Sequence, residues 1–166
     1  ADAAKKMKVW DSIEFLDDLY PKIKFLDSWQ IVGTKAEIHD FDRNLYSALV
    51  AIGDNQKRWK IVNDLKKINF PLATVIHPSA QIAEDVKIGK GSVIFANVVI
   101  NFGAIVKEAC IVNTAATIDH DCLLSNSVHI SPGANLGGGV SVGELSWVGI
   151  GSCVIHNCTI GPNVKI

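Results

Sequence analysis

From Ile76 to Ile166 every sixth residue is aliphatic without a break, sixteen positions in one phase. The residue four places further on is small or short-branched throughout, as in Ala80, Val86, Ser92, Val98, Ala104, Cys110, Ala116 and Cys122. A period of six belongs neither to a helix, with its repeat of 3.6, nor to a simple strand, with its repeat of 2. It describes a coil. If the chain turns by about 120° every six residues, both residue types point inward, and eighteen residues close one triangular turn of a solenoid. Successive turns stack at the spacing of paired strands, about 4.8 Å. Antiparallel returns would break the phase, so the flat faces are predicted to be parallel sheets. Gly, Asn and Asp recur at the corners, as in Ile88-Gly89-Lys90-Gly91, Leu136-Gly137-Gly138-Gly139 and Ile160-Gly161-Pro162-Asn163, where unusual dihedrals are cheap. No loop interrupts the hexads, so function has to come from the coil surface. Ile166 points inward with nothing above it, which leads us to expect a chain incomplete at both ends.

The pattern ahead of the coils is different. Residues 1–75 read as an α/β unit and 76–166 as the coiled unit, with the boundary near Phe70–Val75, where Pro71 and Pro78 interrupt the pattern. The opening residues read as the end of a helix whose preceding strand is absent. Ser12–Leu16, Trp29–Val32 and Leu49–Ile52 are strand candidates. Gly53-Asp54-Asn55 turns the chain into a helix over Gln56–Lys67, with Trp59, Val62 and Leu65 on one face and Asp54 or Asn55 as cap. A strand, a tight turn and a helix start make a place where open α/β sheets gather ligands. On spacing alone, a simple helix cap is the better reading of the same turn.

Charge sharpens the division. The first 75 residues carry 23 of the 33 charged side chains. Sixteen basic against seventeen acidic residues leave the chain nearly neutral, which argues against nucleic acid or an anionic membrane as partner. No apolar stretch is long enough to span a membrane, and the N-terminus lacks the core of a signal peptide. Of the four cysteines, Cys110, Cys122 and Cys158 take the small inward position, so buried thiols are expected and the spacings fit no zinc motif. A reduced, cytoplasmic protein is the expectation.

Candidate chemistry concentrates in Asn113–Cys122 and Ser127–Gly133. Ile118 and Cys122 take the inward phase, so His120 lies outside. His129 follows half a coil later. A histidine beside a carboxylate, here Asp121, is the usual general base near neutral pH, although adjacent side chains need not meet. A surface histidine bonded across coils explains the same residue. His156 occupies the position of His120 two coils on, about 10 Å away, too far to share one metal ion within a chain. His77, before Pro78, reads as structural. Phe95, Phe102, Leu123 and Trp147 fall outside the inward phases, which predicts apolar surface buried between neighbouring prisms.

The segments Asn113-Thr-Ala-Ala-Thr-Ile-Asp-His-Asp-Cys122, His129-Ile-Ser-Pro-Gly-Ala134 and Leu136-Gly-Gly-Gly-Val-Ser-Val-Gly143 resemble the signature of the hexapeptide-repeat sugar and sialic-acid acetyltransferases, close to the bacterial UDP-4-amino-sugar N-acetyltransferases. Phe15-Leu16-Asp17-Asp18 and Ile52-Gly53-Asp54-Asn55 resemble their N-terminal domain. The resemblance implies a left-handed parallel β-helix of hexapeptide repeats preceded by a small, N-terminally incomplete Rossmann-like α/β domain. It implies a homotrimer with acetyl-CoA between neighbouring prisms and a nucleotide-linked amino sugar, UDP-linked, held in part by the α/β domain. On it, His120 corresponds to the catalytic base and Asp121 to its acidic partner, a glutamate in many relatives. His129, Asn113 and Gly138 correspond to cofactor contacts, and Asp17, Asp18, Gly53 and Asp54 to substrate contacts, with no metal. Transfer would be direct, with no acylated residue. Sugar or sialic-acid O-acetylation, a zinc-dependent hydratase of the same fold and a non-catalytic structural solenoid are the alternatives.

Overall fold

In the computed structural model, which describes residues 1–166, the chain opens with a short helix, α1 (Asp2–Met7), ended by Lys8 in the left-handed conformation. Ala3 and Ala4 are buried against Val75 and Val93, so this small apolar face seats α1 on the first coils. A three-stranded sheet follows, built from β1 (Phe15–Leu16), β2 (Phe25–Leu26) and β3 (Trp29–Gly33), with β3 central. β1 runs parallel to β3, and β2 forms an antiparallel hairpin with it. The Ser12–Leu16 candidate thus shortens to two residues, and β2 joins the sheet unforeseen, its Phe25 and Leu26 exposed. Thr34 and Glu37 form a reciprocal capping box at the start of a 3-10 turn over Lys35–Asp40.

Leu49–Ile52 is not a strand. Its neighbourhood makes a single bridge, Ala48 to Leu72, and Val50 is buried by packing alone. The continuous apolar run therefore marks a core contact and not a ladder. Helix α2 (Asn55–Lys67) is capped by Asp54, whose carboxylate accepts from the Lys57 amide at 2.8 Å. Val62 and Leu65 are buried, with Trp59, Ile61 and Ile68 packed beside them.

The hexads then give two-residue strands, each hydrogen-bonded to the strand eighteen residues away. One face stacks β4 (Val75–Ile76), β7 (Val93–Ile94), β10 (Ile111–Val112), β13 (His129–Ile130) and β16 (Trp147–Val148). The second stacks β5 (Gln81–Ile82), β8 (Val99–Ile100), β11 (Thr117–Ile118), β14 (Asn135–Leu136) and β17 (Cys153–Val154). The third stacks β6 (Lys87–Ile88), β9 (Ile105–Val106), β12 (Leu123–Leu124), β15 (Ser141–Val142) and β18 (Thr159–Ile160). All pairings are parallel and in register, as Ile118 with Leu136 and Val112 with Ile130. The inward aliphatic and small residues form one continuous buried core from Ile94 to Ile160. Cys110 and Cys122 are inside it, and burial pushes the Cys110 thiol up to about 12.

The corners obey an equally strict rule. Every sixth residue from Gly91 to Asn163 has positive φ, whether it is glycine, asparagine, aspartate, alanine, serine or leucine. The turn geometry is imposed by the coil, and it is this geometry that places the candidate chemistry.

Candidate active site

His120 and Asp121 form the corner between β11 and β12. Asp121 is one of the left-handed corner residues, with φ 58. That conformation swings its carboxylate back toward the preceding residue, so two adjacent side chains meet: Asp121 Oδ2 lies 2.9 Å from His120 Nδ1. The carboxylate makes Nδ1 the protonated nitrogen and leaves the Nε2 lone pair free. Asp119 Oδ1 also accepts from the His120 amide at 2.8 Å, and is itself held by Asn101 Nδ2 at 2.9 Å. The bond to Asp121, and then the charge of Asp119, raise the His120 pKa above its ordinary value. Its side chain remains 60% exposed. The result is an oriented imidazole with a free basic nitrogen on an open corner.

Gly138 lies one coil above. A β-carbon there would sit 2.5 Å from His120 Nε2 and 2.6 Å from Cε1, so the ring rests over the bare Cα. The Gly139 amide donates to the His120 carbonyl and the Asn157 amide to the Gly138 carbonyl, which stacks His120, Gly138 and His156 in successive coils. Phe102, one coil below, is 67% exposed, and Ile155 beside His156 is 72% exposed. The basic corner is therefore bordered by apolar surface. No three histidine, cysteine, aspartate or glutamate side chains come together as a metal-binding group.

His129 and Asn113 form a separate cluster. They lie on the face opposite the His120 corner, as expected of residues half a coil apart. His129 is buried and stacks on Trp147 one coil above, with ring centroids 4.8 Å apart and planes at 16°. Trp147, half-buried, donates to Ser131 Oγ at 2.6 Å and is thereby anchored over His129. Phe95 is likewise covered within the chain, against the α1 cluster. The Thr114 amide donates to Asn113 Oδ1, which turns Asn113 Nδ2 toward His129 Nε2 at 3.4 Å. Nδ1 of His129 is then the protonated nitrogen, and it is buried without a partner. Burial, and then the charge of Arg58, lower the His129 pKa to about 4, so the ring is neutral at neutral pH.

The four α/β-domain residues fall into two pairs. Asp17 accepts from the Leu19 amide at the turn after β1, and Asp18 binds Lys35 Nζ at 2.5 Å. That ion pair holds the Asp18 carboxyl below its usual range. Gly53 and Asp54 open α2, where Asp54, Asn55 and Gln56 line a cavity of about 220 Å³ with Leu145, Trp147, Asn163 and Lys165.

Sequence reasoning missed Arg58, and it read Asn55 only as a possible helix cap, a role that Asp54 takes. Arg58 is 1% exposed and donates to the carbonyls of Ala109 (2.8 Å), Ser127 (2.9 Å), Ile52 (2.9 Å) and Gly53 (3.1 Å) and to Asn55 Oδ1 (2.7 Å). Asn55 Nδ2 reaches the carbonyls of Leu145 and Ser146, each at 3.0 Å, and Ser127 Oγ donates to the Asn55 carbonyl. Ala109, Ser127 and Leu145 are the same corner in three successive coils. Helix α2 is thus riveted along one edge of the prism. No sequence signal marks Arg58, since a single arginine in a helix reads as a solvated charge.

Residues 1–65 match the family model described as the PglD N-terminal domain. The acetyltransferase domain of PglB from Neisseria gonorrhoeae, solved in complex with acetyl coenzyme A, is 37% identical over 99% of this chain and 80% of its own, with a TM-score of 0.95. PerB from Caulobacter crescentus, solved with CoA and GDP-perosamine, is 36% identical over 86% of this chain and 69% of its own, with a TM-score of 0.82. The chain belongs to the hexapeptide-repeat acetyltransferases related to PglD and PerB. Its coils are the left-handed β-helix of that family, preceded by the small α/β domain. It is an acetyltransferase that draws its acetyl group from acetyl-CoA.

Proposed function

We propose that the acceptor is the amine of a nucleotide-linked amino sugar, UDP-linked, and that His120 is the general base. The observation that carries this reading is the 2.9 Å contact of His120 Nδ1 with Asp121, which leaves a free Nε2 on an open corner. A neutral amine becomes cationic as it adds to a thioester, and the new N–C bond is kept only if that nitrogen sheds a proton before the thiolate leaves. Nε2 takes that proton, Asp121 steadies the imidazolium, and the ring then returns the proton to the departing thiolate. No residue is acylated in this scheme. Cys122, the nearest thiol in sequence, is buried, and burial raises its pKa.

In this reading residues 76–166 carry out transfer and residues 1–75 hold the nucleotide sugar through Asp17, Asp18, Gly53 and Asp54. PerB, crystallised with CoA and GDP-perosamine, supports an amino-sugar nucleotide as acceptor class. His129, Asn113 and the backbone of Gly138 form the cofactor wall. The unpaired Nδ1–H of His129 supports its part: a buried donor without a partner is costly, and a thioester carbonyl is an acceptor that would satisfy it.

His120 and His129 lie on opposite sides of one prism, so a site using both needs two chains. A homotrimer supplies three such sites, and the exposed Phe102, Ile105 and Ile155 are apolar surface for it to cover. A cytoplasmic location accords with the free cysteines.

The reading is tested by incubating the protein with acetyl-CoA and a panel of UDP- and GDP-linked 4-amino sugars and sialic acid while following CoA release, with and without chelator. The reading predicts turnover on an amine acceptor, unaffected by chelation and preserved in Cys122→Ala. Turnover only on a sugar hydroxyl, loss of activity on chelation, or no acetylation of any acceptor would contradict it.

A further inference from the structure

We propose that Gly103 and Gly138 form a cradle that fixes the His120–Asp121 pair, with Gly103 the positioning residue for the carboxylate; this rests on the reading of His120 as base. Gly138 caps the imidazole from the coil above. Gly103 lies one coil below Asp121, and its amide is pinned from beneath by Asp85 Oδ2 at 2.7 Å. A β-carbon on Gly103 would fall inside contact distance of Asp121 Oδ1 and 3.3 Å from Cγ, while Oδ2 of the same carboxylate holds His120. The carboxylate fits only because residue 103 has no side chain.

Backbone geometry alone does not require this glycine. Gly103 has φ 74, but the equivalent corners at 109, 115 and 145 hold alanine, alanine and leucine with φ of 57, 56 and 63. Alanine is therefore compatible with the turn. Gly133, at another such corner with φ 65, has nothing within 4 Å of the place its β-carbon would take. A methyl group at 103 touches the Asp121 amide nitrogen at an ordinary 3.4 Å and clashes only with the end of a movable side chain, so the carboxylate gives way and the coil survives. The bond that orients Nδ1 is what is lost.

The experiment compares Gly103→Ala with Gly133→Ala, measuring thermal stability, kcat and KM for acetyl-CoA, and the His120 ring titration by NMR. In Gly103→Ala the His120 titration moves to lower pH, kcat falls about tenfold or more, and KM stays within about twofold. Gly133→Ala shows neither change. Asp121→Asn combined with Gly103→Ala is no slower than Asp121→Asn alone, as expected of two changes acting on one contact. Should Gly103→Ala fail to fold, Gly138→Ala carries the test from the other side, where it must displace the ring and lower kcat while the coil stays folded. An unmoved His120 titration in a folded Gly103→Ala protein, or an equal effect in Gly133→Ala, overturns the inference. The titration needs no turnover, so it decides the cradle even if His120→Ala proves active and the base assignment falls.

Discussion

Two histidines in this chain are held in opposite environments. His120 sits on an open corner with two carboxylates near it and is shifted toward the protonated form, whereas His129 is enclosed and shifted away from it. The second shift has a stability consequence. With a pKa of about 4 in the folded chain against 6.5 in the unfolded chain, His129 takes up a proton on unfolding throughout that interval. Stability therefore falls as the pH falls through it. At about pH 5 the loss from this ring is on the order of 2 kcal/mol relative to about pH 7. Unfolding free energies at those two pH values should differ less in His129→Gln than in the wild type, and an unchanged difference would show that the ring is not buried neutral. The meeting of His120 and Asp121 was not legible from adjacency. It depends on the left-handed corner at 121; the recurrence of Gly, Asn and Asp at the corners pointed to unusual dihedrals there, and the structure adds the six-residue rule, which alanine, serine and leucine corners obey too.

At the scale of elements, the contrast is between ladders and rivets. The coil strands were fully legible, because a two-residue strand with one inward aliphatic repeats the same decision fifteen times. The α/β region offered no such repetition. Leu49–Ile52 has a strand's composition but packs without pairing, and β2 pairs despite being exposed. What attaches α2 to the prism is Arg58, whose five hydrogen bonds serve four carbonyls and one side-chain amide, with no carboxylate among them. Burial lowers its pKa to about 10, which still leaves it charged at neutral pH. Arg58→Ala strands those carbonyls in the interior and should cost about 3 kcal/mol or more by denaturant titration. Arg58→Lys should rescue little, because an ammonium cannot fork to two corners at once. A loss below about 0.5 kcal/mol for Arg58→Ala would mean that α2 is seated by its apolar face alone.

At the scale of the whole molecule, His120 and Asp121 occupy a corner of the prism and His129 and Asn113 the face opposite. The proposed function, which uses both groups in one site, therefore requires a second chain to complete it. This predicts complementation. His120→Ala and His129→Ala chains, each inactive alone, should regain activity when assembled together, with about a quarter of the sites carrying both native residues in random mixtures. No recovery in mixed assemblies that demonstrably form would confine the chemistry to one chain. The phase of the hexads, together with the motif around His120, was enough to anticipate the architecture and the class of reaction. The clamp made by Arg58 and the stack of His129 on Trp147 were not legible, because both depend on which residues fall one coil apart across the junction. The account as a whole stands on His120. Its most direct test is the steady-state rate of acetyl transfer from acetyl-CoA to a nucleotide-linked amino sugar in the wild type and in His120→Ala at equal thermal stability. The predicted result is a fall in kcat of about 10² to 10⁴ with KM for acetyl-CoA little changed, and the rate of the wild type rising with pH as the ring loses its proton. A His120→Ala enzyme that turns over at the wild-type rate would contradict it.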